Sequence, residues 1–280
     1  MFEPGIDFAR SLDAADPLAR FRDEFAFPEP HARPEVTYFV GNSLGLQPHA
    51  AHRLVTEELD KWAKLGVRGH FETERPRAPY HELLAGPMAR LVGAQADEVV
   101  VMNGLTVNLH LFMTSFYRPT PQRHKILIEE HAFPSDHFAV ESQITTRGLD
   151  PATSLVTVKP RPGEETLCTE DIVAAIADNG PELALVLLPG VQYYTGQVLP
   201  MAEIVAAGHK AGAMVGLDLA HAVGNVELQL HDWGADFAAW CTYKYLNAGP
   251  GSIAGGFVHE RHLGTGPIPR LHGWWGHDKA

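Results

Sequence analysis

A lysine set among aromatic and small residues is the first candidate for chemistry in this sequence. Lys244 follows the apolar run 237–241 and lies in the segment 240–251, which holds three aromatic residues and two glycines. Burial lowers the pKa of a lysine because the charged form loses hydration, and the neutral amine is a nucleophile near neutral pH. A lone lysine after a strand is more often a surface residue whose amine reaches solvent. Lys244 therefore needs a partner before it indicates a catalytic site.

Asp218 is such a partner. It directly follows the apolar run 214–217, 26 residues before Lys244, and His221 lies three residues after it. Ligands of α/β proteins bind at the carboxyl ends of the strands, where an acid in this position points into the crevice. Taken alone, Asp218 is equally well explained as a helix N-cap and His221 as a satisfied histidine. Together, a carboxylate for a pyridine nitrogen and a lysine for an aldehyde carbon are the two groups that pyridoxal phosphate requires.

Two further segments follow strand-like runs and could complete a cofactor site. Residues 103–109 form a small-residue turn followed by a helical pattern, and the free N–H groups of a helix start can bind a phosphate. Phe133 and Asp136 follow the run 125–129 and offer an aromatic face and a carboxylate at the same end of the sheet. Each signal is common, since Phe133 also suits an apolar core and Asp136 a helix N-cap.

The elements that must position these residues alternate along the chain. Short apolar runs separated by amphipathic stretches predict a mostly parallel, buried sheet, and therefore an α/β fold. The predicted strands are 125–129, 183–188, 214–217, 237–241 and 255–258. Helices are predicted over 48–65 and 201–211, and a third begins at Thr169. The first 35 or so residues show no sustained period and are interpreted as an arm.

Composition excludes several classes of protein. The 280 residues carry 22 basic and 34 acidic side chains, a net charge of −12, which argues against a nucleic-acid partner. No run approaches the roughly 18–20 apolar residues of a membrane span, and the first residues lack the pattern of a secretory signal. Cys168 and Cys241 form no CxxC pair, so neither a disulfide framework nor a metal site is expected, and the cytoplasm is the expected compartment.

Six blocks, in this order and spacing, carry a resemblance to a known family. They are residues 41–48 (GNSLGLQP), 103–110, 133–136 (FPSD), 190–197, 218–225 and 243–249. The chain resembles the fold-type-I pyridoxal-phosphate enzymes of the class-V aminotransferase type, and more narrowly the kynureninase family. The resemblance implies an N-terminal segment, 1–47, and a cofactor-binding large domain, 48–280, whose mostly parallel seven-stranded sheet is flanked by helices. It also implies that the family's C-terminal small domain, with the arginine that binds the substrate carboxylate, is absent from this chain.

The resemblance assigns roles to the residues that could do chemistry. Lys244 would form a Schiff base with pyridoxal phosphate and act as a base. Asp218 would keep the pyridine nitrogen protonated, with Asp136 and His221 close by. Tyr243 would reach the cofactor phosphate and is the candidate proton donor.

Further residues would hold the cofactor and the substrate. Phe133 would stack on the cofactor ring, and Leu105 and Thr106 would contact its phosphate from the helix start. Trp274 would contact the phosphate held by the partner subunit, which implies a homodimer, and the glycine-rich stretch 248–258 is expected to pack close to that partner. Two residues are implied for the substrate pocket: Ser43 and His70.

The implied reaction is the hydrolysis of L-kynurenine, or of 3-hydroxykynurenine, to an anthranilate and L-alanine. This reaction belongs to tryptophan catabolism by the kynurenine pathway and to NAD biosynthesis, and the sequence does not choose between the two substrates. The alternatives are another fold-type-I reaction, such as that of a cysteine desulfurase or an aminotransferase, or a truncated, inactive scaffold. A desulfurase needs a mobile cysteine after its lysine, and none follows Lys244 within these residues.

Overall fold

A seven-stranded sheet forms the centre of the computed structural model, which describes residues 3–29, 36–264, 266 and 268–273. Two very short strands pair with each other outside this sheet, in an antiparallel ribbon. In chain order the strands are β1 (Phe25–Ala26), β2 (Gln47–Pro48), β3 (Val99–Val101), β4 (Lys125–Glu129), β5 (Leu155–Val158), β6 (Leu183–Pro189), β7 (Met214–Asp218), β8 (Phe237–Trp240) and β9 (Gly255–Val258).

The large sheet is mostly parallel. Its order is β3-β9-β8-β7-β6-β4-β5, and the five strands from β8 to β5 run parallel to one another. Only β9 runs against its two neighbours, β3 and β8. Nearly every residue of β6 and β8 is buried, as a sheet covered by helices on both faces requires. The predicted mostly parallel, seven-stranded sheet is confirmed.

Helices cover both faces of this sheet. In chain order, the α-helices of the described residues are α1 (Ile6–Ala15), α2 (His49–Leu65), α3 (Glu82–Val92), α4 (Leu105–Phe116), α5 (Pro134–Thr146), α6 (Pro151–Ser154), α7 (Thr169–Asn179), α8 (Met201–Lys210) and α9 (Leu230–Trp233), and those from α3 onward, except the short α6, contribute to the apolar layers. Alternate residues of a strand enter opposite apolar clusters, as β4 shows: Ile126 and Ile128 pack with α4 and α5, whereas Leu127 packs with α7 and α8. The core therefore has two apolar layers, one on each side of the sheet.

The predicted elements are present, with ends within one residue of those expected, but two edge strands were not predicted. β3 has three residues and pairs with β9, which lies more than 150 residues later in the chain. β5 pairs with a neighbour on one side only. Such short strands are stabilised by their partners, so the local sequence alone carries little sign of them.

The N-terminal helices pack less tightly than the sheet layers. No residue of α1 or α2 is buried. Along α2, the side chains of Val55, Leu59 and Trp62 lie on one face and are each more than half exposed. Within the described ranges, no helix has the length and apolarity that crossing a membrane requires.

Two glycines of the stretch 248–258 allow aromatic side chains of the same chain to pack closely. A Cβ atom at Gly255 would lie 2.4 Å from the indole of Trp240, and one at Gly256 would lie 2.7 Å from the ring of Phe112. Both glycines belong to β9, inside the sheet. These two residues therefore make room for aromatic side chains of the same chain, and the contact of the stretch 248–258 with a partner remains a prediction.

Candidate active site

The carboxyl ends of β4, β6, β7 and β8 surround a cavity of about 240 Å³. This is the edge at which ligands of α/β sheets bind. Eight of the residues that the sequence analysis proposed line the cavity together: Leu105, Thr106, Phe133, Asp136, Asp218, His221, Tyr243 and Lys244.

Lys244 lies in the loop that follows β8 and is only 8% exposed. Burial lowers the pKa of its amine, although Cys241, Asp218 and Asp136 oppose this effect. The Nζ atom donates a hydrogen bond to Nε2 of His221 at 2.6 Å and lies 5.7 Å from the centre of the Phe133 ring. The amine is therefore held at a fixed place in the cavity, in surroundings that favour its neutral form.

His221 remains neutral near neutral pH. Burial, followed by the charge of Lys244, lowers its pKa to about 4. The backbone of Asn42, in the N-terminal turn, interacts with the imidazole and partly opposes this shift of the pKa. The imidazole thus serves as an acceptor that orients the amine of Lys244.

The N-terminal turn that holds Asn42 is fastened to the lysine loop. The amide of Gly45 donates to the carbonyl of Tyr243 at 2.8 Å. A Cβ atom at Gly45 would lie 2.3 Å from the carbonyl oxygen of Lys244 and from Oδ1 of Asn247, so only glycine fits there. This close approach gives a physical reason for glycine within the block 41–48.

The carboxyl groups of Asp218, at the end of β7, and Asp136, in the first turn of α5, lie against each other. Burial raises the pKa of Asp136 to about 9, and the neighbouring charge of Asp218 adds to this shift. Burial also raises the pKa of Asp218, against hydrogen bonds from the amide of Ala220, at 2.8 Å, and from Asp136. The pair therefore shares a proton, with Asp136 as the donor and Asp218 as the group that can bear the charge.

The start of α4 presents backbone amides to the same cavity. Gly104 is the N-cap of this twelve-residue helix, and no side chain caps it. Asn103 adopts a left-handed φ of 53°, and its side chain donates to Asn108 at 3.0 Å, which fixes the turn. The uncapped amides and the positive end of the helix dipole favour an anion there.

An aromatic wall closes one side of the cavity. Phe133 is the N-cap residue of α5, and its ring meets that of Tyr193 edge to face, with 5.1 Å between centroids. Tyr193 also lies beside His221, at 6.5 Å between ring centroids. Phe133 keeps nearly half of its surface exposed, so a planar ligand has access to its face.

Tyr243 keeps its phenolic proton. Burial raises its pKa to about 12, and the neighbouring Cys241 adds to this shift. At neutral pH the side chain can therefore give a proton but cannot begin a reaction as the base.

Three proposed residues are not brought into the cavity lining. Ser43 is exposed, and its amide donates to the carbonyl of Val40 within the N-terminal turn. His70 is exposed and packs edge to face against Phe71, at 6.1 Å between ring centroids. Trp274 lies outside the described residues. The substrate roles of Ser43 and His70 and the phosphate role of Trp274 remain predictions.

The cavity also contains residues to which the sequence analysis gave no role. Glu129 and Tyr193 both line it. Glu129 is the last residue of β4, so the rule that singled out Asp218, an acid at the carboxyl end of a buried strand, also identifies it. Tyr193 lies in the block 190–197, which carries the family resemblance, but its side chain gave no separate signal.

A second group of ionisable side chains lies away from this cavity. Glu98, His231 and His259 bring possible metal-ligating atoms within 4.8 Å of one another. The carboxylate of Glu98 already accepts from the amides of Gln95, at 2.9 Å, and Glu260, at 2.8 Å, while Nδ1 of His259 accepts from the amide of Arg261 at 3.2 Å. Since these lone pairs have partners, hydrogen bonding explains the group without a metal.

The chain matches the profile of a known protein family. The profile of the aminotransferase class-V family matches residues 38–256, which is more than three quarters of the chain. The chain belongs to the class-V aminotransferase family. The matched region contains the whole lining of the cavity, from Gly104 to Lys244.

Curated relatives of this class-V chain are similar along its whole length. It is 57% identical over 280 residues to the kynureninase of Myxococcus xanthus and covers 66% of that protein. It is 53% identical over 279 residues to the kynureninase of Flavobacterium psychrophilum and covers 65% of it. The chain thus spans just under two thirds of the length of these relatives.

Solved structures share the fold at lower identity. The apo structure of a cysteine desulfurase from Thermococcus onnurineus NA1 matches with a TM-score of 0.64 at 21% identity, over 93% of this chain and 59% of that one. A cystine C–S lyase in complex with cysteine persulfide matches with a TM-score of 0.66 at 20% identity, over 80% of this chain and 57% of that one. These likenesses support the class-V fold.

Pyridoxal phosphate fits the side chains that this class-V chain brings together. The paired carboxyl groups of Asp136 and Asp218 share the cavity with the amine of Lys244, and the protonated ring nitrogen of this cofactor would supply the positive charge that suits the pair. The amides at the start of α4 suit its phosphate, and the open face of Phe133 suits its ring. The donor set therefore matches each part of the cofactor.

Proposed function

We propose that this protein hydrolyses L-kynurenine or 3-hydroxykynurenine, with pyridoxal phosphate, to anthranilate or 3-hydroxyanthranilate and L-alanine. One observation carries the proposal: Lys244 and the Asp136–Asp218 pair share one cavity. This cavity lies in a chain that is 53–58% identical to kynureninases over 97–100% of its length. The resemblance of its six sequence blocks to the kynureninase family points to the same reaction.

The proposed mechanism assigns one task to each side chain. When bound, pyridoxal phosphate supplies an electron-withdrawing ring for the electrons released at the substrate. Asp218 holds the proton of the ring nitrogen, because its charge is the one that the carboxyl pair can bear. Lys244 accepts the proton of the substrate Cα at Nζ, since burial favours its neutral amine. His221 keeps Nζ oriented, and Tyr243 donates a proton from its phenol.

Other fold-type-I reactions are the competing hypothesis, since desulfurases and C–S lyases share the fold. Desulfuration needs a mobile cysteine nucleophile. Of the two cysteines in these residues, Cys241 is buried and has a pKa raised by burial, which makes it a poor nucleophile. The 53–58% identity to kynureninases favours the hydrolysis of kynurenine over these reactions.

We also propose a cytoplasmic homodimer that acts in tryptophan catabolism by the kynurenine pathway and in NAD biosynthesis. Two free cysteines, Cys168 and Cys241, suit a reducing compartment. The exposed apolar face of α2, with Val55, Leu59 and Trp62, is a surface that association can cover. The net charge of −12 favours a small-molecule substrate over a nucleic acid.

The test is the fluorescence of anthranilate released from kynurenine. We expect product from the protein encoded by the complete gene, and none from its Lys244→Ala variant. The 280-residue chain is assayed in parallel, because it spans just under two thirds of its relatives. Sulfide from cysteine, or an oxo acid without anthranilate, would replace the proposal by desulfuration or transamination. A lack of cofactor absorbance in the 280-residue chain would instead identify that chain as an inactive scaffold.

A further inference from the structure

Glu129 is a buried acid in the wall of the active-site cavity, and the mechanism above gives it no task. It ends β4 and is 3% exposed. It lines the same cavity as Asp218 and Lys244, and also a neighbouring cavity of about 370 Å³. The only hydrogen bond to its carboxylate from the described residues comes from Nε2 of Gln192, at 3.5 Å, the outer limit for such a bond.

Two other buried acids show what a charged carboxylate has around it in this chain. Glu98 accepts from two backbone amides and from Nδ1 of His231, at 2.8–3.0 Å. Asp236 accepts hydrogen bonds from four donors at 2.6–2.9 Å, and two of these donors, Arg261 and His262, lie in one turn. The carboxylate of Glu129, in contrast, accepts a single long hydrogen bond. A buried carboxyl group with so few donors is more stable with its proton bound.

The ionisable groups around Glu129 in the described residues are acids or have other partners. Lys244, the basic group that lines the same cavity, is hydrogen-bonded to His221. Asp218, at the end of β7, and Asp136, in the first turn of α5, both interact with it electrostatically. Its neighbour Glu130 is paired with Lys159, with 2.5 Å between Nζ and Oε1. Burial raises the pKa of Glu129 to about 7; the hydrogen bond from Gln192 opposes this shift and the charge of Asp218 adds to it. We call Glu129, Asp136 and Asp218 the carboxyl cluster.

We propose that Glu129 is a positioning residue of this site, whose bound proton holds the carboxyl cluster at a single negative charge. With protons on Glu129 and Asp136, only Asp218 is charged, and one negative charge matches the one positive charge of a protonated ring nitrogen. Ionised Glu129 would add a second buried negative charge to a cavity that must admit a phosphate-bearing anion. The inference takes the identity of this anion from the proposed function. The protonation of Glu129 does not depend on that function.

The protonation of Glu129 is measured on the protein without cofactor. Infrared difference spectra of protein labelled with ¹³C-glutamate distinguish a protonated glutamate from the aspartic acids. We expect a protonated-glutamate band that is lost as the pH rises through about 7 and that is missing in Glu129→Gln. The matched control is Glu130→Gln, which makes the same change one residue away and should keep the band. If the band is absent at pH 6, or persists in Glu129→Gln, the proposal is overturned.

The effect on the cofactor is a second measurement, by fluorescence titration with pyridoxal phosphate. Between pH 6 and pH 8, the affinity of the parent protein should fall about tenfold relative to that of Glu129→Gln, because Glu129 ionises in this interval. Glu130→Gln should follow the parent. Parallel pH profiles for the parent and Glu129→Gln would overturn the proposal. A protein that shows the glutamate band but hydrolyses no kynurenine would overturn the proposed function instead.

Discussion

Lys244 is the residue on which the proposed chemistry depends most directly, because its amine is buried, oriented by His221 and favoured in its neutral form. We expect borohydride reduction in the presence of pyridoxal phosphate to attach the pyridoxyl group to this lysine. Peptide mapping by mass spectrometry locates the label, and Lys244→Ala should remain unlabelled. Lys210, exposed at the end of α8, is an internal control. A label found mainly on Lys210 would end the assignment.

Asp218 and Asp136 are similar in chemistry but should differ in what they contribute. Asp218→Asn keeps the shape and the hydrogen bond from Ala220 but removes the charge that holds the ring-nitrogen proton, so turnover should fall by orders of magnitude with little change in melting temperature. Asp136→Asn replaces a group that already carries a proton at neutral pH, and it should cost much less turnover. Equal losses in the two variants would contradict this division of roles.

At the scale of elements, Asp236 joins parts of the fold that are distant in the chain. Its carboxylate accepts hydrogen bonds from the end of α8, from β7 and from the turn after β9, through His209, the amide of Val215, Arg261 and His262. Burial alone raises the pKa of Asp236, but these hydrogen bonds outweigh it and hold the pKa well below its usual range. The charged form of Asp236 is therefore stabilised by the folded state.

We expect Asp236→Asn to lower the free energy of unfolding by about 3 kcal/mol, the usual loss when a buried charge network is broken. Because the pKa is lowered by folding, the stabilisation is present above the unfolded pKa, near 4, and is lost as the pH falls below it. Urea denaturation at several pH values measures this effect. Asp232→Asn, at an exposed position in α9, is the matched control. Equal stability and equal acid sensitivity in both variants would contradict the prediction.

The central strands could be predicted from the sequence, whereas the edge strands could not. The central strands and the site residues at their carboxyl ends follow from apolar runs that end in Asp218 or precede Lys244, because burial on both faces leaves a local pattern. Edge strands such as β3 depend on a partner far along the chain and leave none. Glu129 was missed although it obeys the same rule as Asp218, and Tyr193 was missed because only the folded loop brings its ring to Phe133.

At the scale of the whole molecule, the proposed homodimer predicts that active sites are shared between subunits. By resemblance, Trp274 serves the phosphate held by the partner, while Lys244 serves its own subunit. Mixing inactive Lys244→Ala with inactive Trp274→Ala then gives dimers in which one site carries both changes and the other carries neither. Such a dimer should recover about half the activity of a normal dimer, measured after subunit exchange in the protein from the complete gene.

Each variant mixed with the parent protein is the control for subunit exchange, and mass spectrometry shows whether mixed dimers have formed. If mixed dimers form and no activity returns, Lys244 and Trp274 act in the same subunit's site. In that case the shared-site proposal fails, while the assignment of Lys244 stands.

The contact between Gly45 and Tyr243 also bears on how the protein is made. It joins positions about 200 residues apart, and the contact of Asn42 with His221 spans nearly as many. At the usual speed of translation, Tyr243 leaves the ribosome roughly 10–40 s after Gly45. Throughout that interval the nascent N-terminal turn has no lysine loop to dock on, and closing so long a loop is slow. A ribosome that stalls before Lys244 therefore holds a chain that lacks the amine and whose N-terminal turn has no lysine loop to dock on, so cofactor capture must wait until that loop has left the ribosome.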